Sequence, residues 1–333
     1  MRVSPDGAVP QAPGEIEGGK KKRKARGRLE CELGILLGAA GLVGARLGQL
    51  WIAFDVFAQF TVQFIIVTVA FVAGLLMPRA KLLAAFLLII SGLLAVGVWP
   101  HVMSRNPMAL ASVPAGAREI RVASFNTWYS NQDVAAVEAE IARIDADIVT
   151  LMEVGPDKKP ALENLKVRYP HQANCFAVDY CNLVVLSKFP LAFSEARVGW
   201  EGPPYIRASF GPELGNLTVL GVHTIRFPHS RAQFRQVVAL SKLIESIPGN
   251  RLVMGDFNAT PFSRIIHTIT DRTGLKRLSW LPSWPSNIGL PQVAIDHVFV
   301  SPGLVQTESQ QIGRPAGSDH FPVTLKLAVP LAP

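Results

Sequence analysis

The stretch Gly255-Asp256-Phe257-Asn258 ends an apolar run, Leu252-Val253-Met254, with a carboxylate and a carboxamide two positions apart. On an extended backbone alternate side chains share a face, so Asp256 and Asn258 point one way and Phe257 points into the core. A carboxylate placed so can take a proton from water, and a carboxamide can donate to a non-bridging phosphoryl oxygen. The same residues also fit a plain β-turn with an Asx cap. Gly255 permits close approach of backbone or substrate. Thr260-Pro261 reads as the cap and first residue of a helix.

Four other apolar runs end in polar residues that a plain core strand does not need. They deliver Asn126 (Ser124-Phe125-Asn126-Thr127), Glu153 (after Thr150-Leu151-Met152), His223 (Leu220-Gly221-Val222-His223) and Asp296-His297, the last followed by Ser318-Asp319-His320. Carboxylates and an amide suit a hard cation, Mg²⁺ or Mn²⁺, better than zinc. Asp319 and His320 are neighbours and point apart, which makes Asp296 the better partner for His320. An imidazolium oriented in this way stabilises charge on phosphoryl oxygens. Each residue also has an ordinary structural use: a turn for Asn126, a surface strand end for Glu153, satisfied core histidines for His223 and His297. Arg226, Arg231 and Arg235 fit either substrate phosphate or a solvated helix face. Trp280 and Trp284 either cover the site or pack.

The elements that must position these groups read as short strands at 120–125, 148–152, 182–186, 217–222, 252–254, 293–300 and 323–328. Helices are expected at 134–144 and 231–247, the second capped by Ser230. Strands with interspersed helices give an α/β or α+β sandwich.

The ordered set of Asn126, Glu153, His223, Gly255-Asp256-Phe257-Asn258, Asp296-His297 and Ser318-Asp319-His320 resembles the endonuclease/exonuclease/phosphatase superfamily. The resemblance runs from about Ala117 to the C-terminus. It implies a four-layer sandwich of two packed mixed β-sheets flanked by helices, and hydrolysis of a phosphoric ester. It also implies Asn126 and Glu153 at a divalent metal, with Asp319 on the metal side. His223 would stand near the scissile phosphate, Asp256 on the attacking water, Asn258 on phosphate, Asp296 orienting the last histidine, and His320 as the catalytic histidine. Apurinic endonucleases of this group often carry an acid two positions after the first Asn, where this chain has Trp128.

The 333 residues carry a net charge of +8. From Ala117 onward there are 21 basic and 19 acidic residues, a net of +2, so the first 116 residues carry the remaining +6. That charge is mostly the cluster from Lys20 to Arg28, which favours membrane orientation over a nucleic-acid footprint. Residues 1–30 read as a disordered basic cytoplasmic tail and 31–101 as an all-α anchor of three spans, at 33–53, 57–77 and 82–98. Residues 102–116 read as a linker and 117–333 as the catalytic domain. Glycines at 34, 38, 41, 44 and 48 permit close helix packing in the anchor. Both positive clusters, Lys20 to Arg28 and the turn Pro78-Arg79-Ala80-Lys81 between the last two spans, belong in the cytoplasm. Three spans then make a multi-pass inner-membrane protein with its catalytic domain on the periplasmic side, whereas two would leave that domain inside. The anchor resembles a membrane-bound bacterial subgroup of the superfamily.

The expected protein is therefore a membrane-anchored, metal-dependent phosphoesterase with the lipid bilayer as a partner. Its substrate is a small phosphoester, a lipid headgroup or a nucleic acid. The alternatives are a nuclease acting on extracytoplasmic DNA or RNA, and a catalytically silent module that binds a phosphorylated ligand. Cys175 and Cys181 form a disulfide in an oxidising compartment or sit as two small buried residues. The sequence sets no oligomeric state.

Overall fold

A computed structural model describes residues 13–76, 113–198, 202–288 and 292–331. The chain divides into two compact units, one formed by part of the N-terminal helical region and the other containing residues 44–60 with the C-terminal domain.

The first helix, α1 (Pro13–Gly48), is continuous. Within it the ion pairs Arg26–Glu30 and Arg28–Glu32 join residues four apart, the spacing that supports a helix. The basic block thus lies within a helix and not in a disordered tail. Among the described residues one helix, Arg23–Gly48, is long and apolar enough to cross a membrane, and the bent pair Ile52–Ala58 with Thr61–Leu75 passes together with a 58° bend. The first span was expected to reach residue 53, but the helix stops at Gly48, and a 3₁₀ turn (Ile52–Phe54) and the short helix α2 (Asp55–Ala58) follow. The second expected span starts only with α3 (Thr61–Leu76). The reason is polar: Asp55 and Gln59 are buried against the C-terminal domain. A Cβ at Gly34, Gly38 or Gly41 would overlap Phe71, Thr68 or Phe64 of α3, so these glycines let the two helices pack closely. The expected third span at 82–98 lies outside the described residues, as does most of the linker.

The C-terminal domain holds β1 (Ala117–Asn126), α4 (Val134–Ile144), β2 (Ile148–Met152), α5 (Lys159–Asn164), β3 (His171–Asn174), β4 (Val184–Ser187), β5 (Phe193–Val198), β6 (Pro204–Ser209), β7 (Thr218–His223), α6 (Ser230–Glu245), β8 (Arg251–Asp256), α7 (Arg264–Thr273), β9 (Lys276–Arg277), β10 (Asp296–Val300), β11 (Val305–Ile312) and β12 (Val323–Pro330). They form two six-stranded mixed sheets, ordered β11-β12-β1-β2-β4-β3 and β5-β6-β7-β8-β10-β9.

Alternation along the strands builds the layers. Val122 and Met152 of one sheet meet Val219, Met254 and Val298 of the other in the central core. The next residues along, Ala123, Val149 and Leu151, face outward under Val137, Ile141 and Ile144 of α4. On the opposite side Leu220, Val222, Val253 and Phe299 lie under Val237 and Ile244 of α6 and Ile265 and Ile269 of α7. Both faces of each sheet are covered, which is the sandwich of two mixed sheets flanked by helices. The parallel pairs β1–β2 and β7–β8 stand side by side at the sheet centres. Their C-terminal ends supply Asn126, the residue before Glu153, His223 and Asp256.

Two caps differ from expectation. His229, not Ser230, precedes α6 and makes no side-chain cap; the Ser230 amide already donates to Pro228 O. Thr260 caps nothing: α7 starts at Arg264 with Ser263 as its cap. Thr260 is instead bonded by Gln59 and Ala58. Cys175 and Cys181 form a disulfide, Cα to Cα 5.6 Å, in the connection between β3 and β4.

Candidate active site

The end of β8 is shaped by Gly255, whose φ of +155° and contact with the Val222 carbonyl leave no room for a Cβ. Close approach there is to the backbone of β7, and it brings His223 level with Asp256 in register. Phe257 is fully buried beneath α6 and α7. Asn258 has φ +47°, an uncommon conformation for a non-glycine residue. Its N–H donates to Asp256 Oδ1 (2.8 Å) and its Nδ2 to Thr224 O (3.0 Å). Gln233 of α6 holds this bend by donating to Phe257 O and Asn258 O.

Asp256 Oδ2 is the meeting point. Asn126 Nδ2 donates to it at 3.1 Å, and His223 Nε2 and His320 Nε2 each stand 3.6 Å away. Asn126 Nδ2 also donates to Glu153 Oε1 (3.1 Å), while Asn126 Oδ1 accepts from Trp128 N–H. Glu153 Oε1 is 3.6 Å from His223 Nε2, and its Oε2 accepts from the Tyr129 amide at 2.9 Å. Trp128 and Glu153 both have positive φ. With Asn258, that makes three strained non-glycine residues around one site, as expected where geometry is fixed for function.

His320 Nδ1 lies 2.8 Å from Asp296 Oδ2. Burial opposes a charge on His320, but Asp296 and Asp256 outweigh it and push its pKa up to about 10. Burial pushes Asp256 up to about 6, with Asp296 adding to the rise and His320 and His223 opposing it. Burial also opposes ionisation of Glu153, yet His223, the Tyr129 amide and Asn126 hold its carboxyl below its ordinary value. His297 points away from the site, between Ala259 O (2.8 Å) and Ser279 Oγ (3.2 Å).

Asp256, Asn258, Glu153, His223, Asp319 and His320 line one cleft of about 610 Å³, with Trp284, Arg226 and Phe227 among its walls. Among the described residues two groups of three could hold a cation: Glu153, His223 and Asp256, and Asp256, Asp296 and His320, each with its atoms within 4.8 Å of one another. Asp319 joins neither group; its Oδ2 accepts from Trp284 Nε1 at 3.1 Å. Trp284 therefore shapes the site wall, while Trp280 is largely exposed with Arg277 stacked on its ring.

Sequence reasoning missed several supporting residues. Lys158 is buried and donates to Trp128 O and Tyr129 O, fixing the loop that bonds Glu153. Ser318 Oγ donates to Asn126 O and accepts from the His320 amide, tying two site loops together. A lysine in Pro156-Asp157-Lys158-Lys159 gives no sign of burial in the sequence. Ser318 was visible within its motif, but its bonds to the Asn126 carbonyl and the His320 amide have no local signature.

Residues 123–320 match the sequence model of the Endonuclease/Exonuclease/phosphatase family, and the chain belongs to that family. Its members are phosphoester hydrolases. No curated protein matches the sequence. Among solved structures, the fold is similar to a family member from Bacteroides thetaiotaomicron (TM-score 0.52, 14% identity, 64% of this chain and 98% of that one). It is also similar to humanized D. rerio TDP2 carrying 14 mutations (TM-score 0.53, 14% identity, 63% and 98%). A third is a Bacteroides vulgatus protein of the same family (TM-score 0.51, 19% identity, 64% and 99%).

Proposed function

We propose that this protein is a membrane-anchored phosphoesterase, dependent on Mg²⁺ or Mn²⁺, that hydrolyses a phosphodiester or phosphomonoester by in-line attack of water. The observation that carries the reading is the line Asp256–His320–Asp296 at the floor of a cleft that Asn258 and His223 also enter. A pKa near 6 makes Asp256 a far better base near neutral pH than an exposed aspartate, and still mostly ionised there. It takes the proton of the attacking water while the P–O bond to the leaving alcohol breaks, and that alkoxide takes a proton from solvent. His320, held as an imidazolium by two carboxylates, stabilises the negative charge that gathers on the phosphoryl oxygens. Asn258 and His223 stand beside the same space and donate to non-bridging oxygens. A phosphate binder without turnover has no need of a buried base with a raised pKa.

The donor set fits a hard cation: Glu153 is ionised, and two of the three ligand atoms in its group, those of Glu153 and Asp256, are carboxylate oxygens. Glu153 is the principal ligand in this reading, with Asn126 Oδ1 and Asp319 as the others. When bound, the cation would neutralise phosphoryl charge and orient substrate. Asn126 in this structure turns Nδ2 to the carboxylates, so ligation through Oδ1 requires its amide to reverse.

The anchor reading rests on α1 and on the basic residues that precede its apolar part. A periplasmic domain requires the third span at 82–98, and the Cys175–Cys181 disulfide supports an oxidising location. Reporters active only inside or only outside the membrane, fused after Pro333, test the topology; signal from the inside reporter alone removes the three-span arrangement. Activity is tested on the full chain in detergent with bis-p-nitrophenyl phosphate and p-nitrophenyl phosphate across a Mg²⁺ and Mn²⁺ titration. Glu153→Gln should move half-maximal activity to higher metal concentration. Metal-independent turnover, or none with any phosphoester, overturns the proposal.

A further inference from the structure

The segment between the two apolar helices, residues 49–60, reads in the sequence as parts of two spans. In the structure it lies against the loop that runs from the catalytic strand β8 into α7. Six hydrogen bonds cross between them. Asp55 Oδ2 accepts from Ser263 Oγ (2.5 Å) and its Oδ1 from the Arg264 amide (2.7 Å), so it extends the N-terminal cap of α7 from another part of the chain. Gln59 Oε1 accepts from the Thr260 amide (2.7 Å), and its Nε2 donates to Asp55 Oδ2 (3.2 Å). Thr260 Oγ1 donates to Ala58 O. Gln49 reaches Phe262 O, and Arg264 reaches back to Leu50 O. Asp55 and Gln59 are fully buried.

The bonded loop begins two residues after Asn258. It continues the bend in which the Asn258 N–H donates to Asp256 Oδ1. Its inner side is fixed by Gln233 and its outer side by Asp55 and Gln59. Both residues lie outside the stretch that matches the family, which starts at residue 123. A buried carboxylate that loses the two bonds this loop gives it is left under-bonded, because water does not replace them.

We propose that Asp55 and Gln59 are positioning residues for Asn258 and Asp256: the turn between the apolar helices is a working part of the active site, not a tether. The proposal rests on the phosphoesterase reading for its kinetic consequence, but its structural half does not. Loss of the strap frees the loop at 259–264 and lets Asn258 drift from its place beside Asp256. Small misplacements of that kind lower the chemical rate far more than substrate affinity.

The test uses the full chain in detergent and three variants: Gln59→Met, Asp55→Leu and Asp55→Asn. Amide hydrogen exchange of peptides covering 258–264 reports the strap directly. Turnover of bis-p-nitrophenyl phosphate at saturating Mg²⁺ reports its effect. Gln59→Met and Asp55→Leu should speed exchange in that loop and lower kcat about tenfold or more, with KM within about twofold. Asp55→Asn keeps an oxygen acceptor for the Arg264 amide and should hold kcat within about threefold of the parent. Should Asp55→Leu fail to fold, Gln59→Met, which removes one crossing bond, decides. Unchanged exchange at 258–264 in Gln59→Met overturns the strap whatever the turnover. Faster exchange with unchanged kcat reduces Asp55 and Gln59 to structural residues and overturns the positioning role. Parent protein without any turnover defeats the phosphoesterase reading and, with it, the positioning role, even where exchange shows that the strap exists.

Discussion

Asp256 and Asp296 stand opposite each other on the antiparallel strands β8 and β10, both almost wholly buried. Two carboxylates so placed cannot both ionise cheaply. His320 resolves the conflict, with Nδ1 2.8 Å from Asp296 and Nε2 3.6 Å from Asp256. One cation shared by two acids makes the site a unit, so changes to any of the three should couple.

Asp256→Asn should fold and lose most turnover. The amide keeps the shape and relieves repulsion with Asp296, but it cannot accept the water proton. Loss of a general base costs ~10²–10⁴-fold in rate. Steady-state kinetics with a thermal melt on the same sample checks this. Turnover close to that of the parent would show that the end of β8 is only a turn.

Asp296→Asn should act through pH. His320 carries its proton up to about pH 10 because Asp296 and Asp256 outweigh the cost of burial. With Asp296 neutral, burial gains ground and the imidazolium is lost at lower pH. The alkaline limb of kcat should therefore move toward neutrality, while the acid limb, set by Asp256 and its raised pKa of about 6, should move less. A kcat–pH profile at saturating metal measures both limbs, and an alkaline limb that stays put would separate His320 from the charge step.

Much of this was legible because the strands were. The runs at 148–152 and 134–144 match β2 and α4, since a short apolar run ending in a carboxylate and a helical pattern have no competitor there. The polar strand ends stood out against apolar runs, and alternation alone placed Phe257 inward. The N-terminal region was misread where hydropathy set the spans: Gln59 fell inside the second span and Asp55 in the break before it, and nothing local shows that they bond a loop some 200 positions later. Lys158 was hidden for the same reason. Its partners are backbone carbonyls, which have no sequence signature. Thr260 and Ser230 have the right types for caps, but neighbouring contacts already occupied their backbone groups.

His297 should make the fold sensitive to mild acid. Burial, with Arg277 nearby, pushes its pKa down to about 3, whereas an unfolded histidine titrates near ~6.5. Between those values the unfolded chain binds a proton that the native chain excludes, so stability from this group is full above about pH 6.5 and falls as pH drops toward 3. Phe257 and Phe299 pack on the ring, and its nitrogens meet Ala259 O and Ser279 Oγ. Urea or thermal unfolding from pH 4 to 8 should show this slope. His297→Gln should flatten it while lowering stability overall. An equal slope in the variant would assign the acid sensitivity to the carboxylates instead.

The charge balance of the C-terminal domain bears on its substrate. Its 21 basic residues are offset by 19 acidic ones and scattered among them. Several basic residues are committed to ion pairs, as in Arg143–Glu140, Arg168–Asp145 and Lys326–Glu308. Among the described residues that line the cleft, Arg226 is the one arginine or lysine, with the apolar Ile225 and Phe227 on either side of it. Gripping a duplex through many phosphates gives a log–log salt slope of about −0.9 per phosphate neutralised. A site that reads one phosphate should show a slope near one or less. KM for p-nitrophenyl esters, a phospholipid in mixed micelles and a DNA duplex, each measured across salt at fixed metal, separates the cases. A shallow slope on the small or lipid ester is expected. A steep slope on long DNA, with no turnover of the other two, would make the protein a nuclease and shift the search for its binding surface away from the cleft to the faces around it.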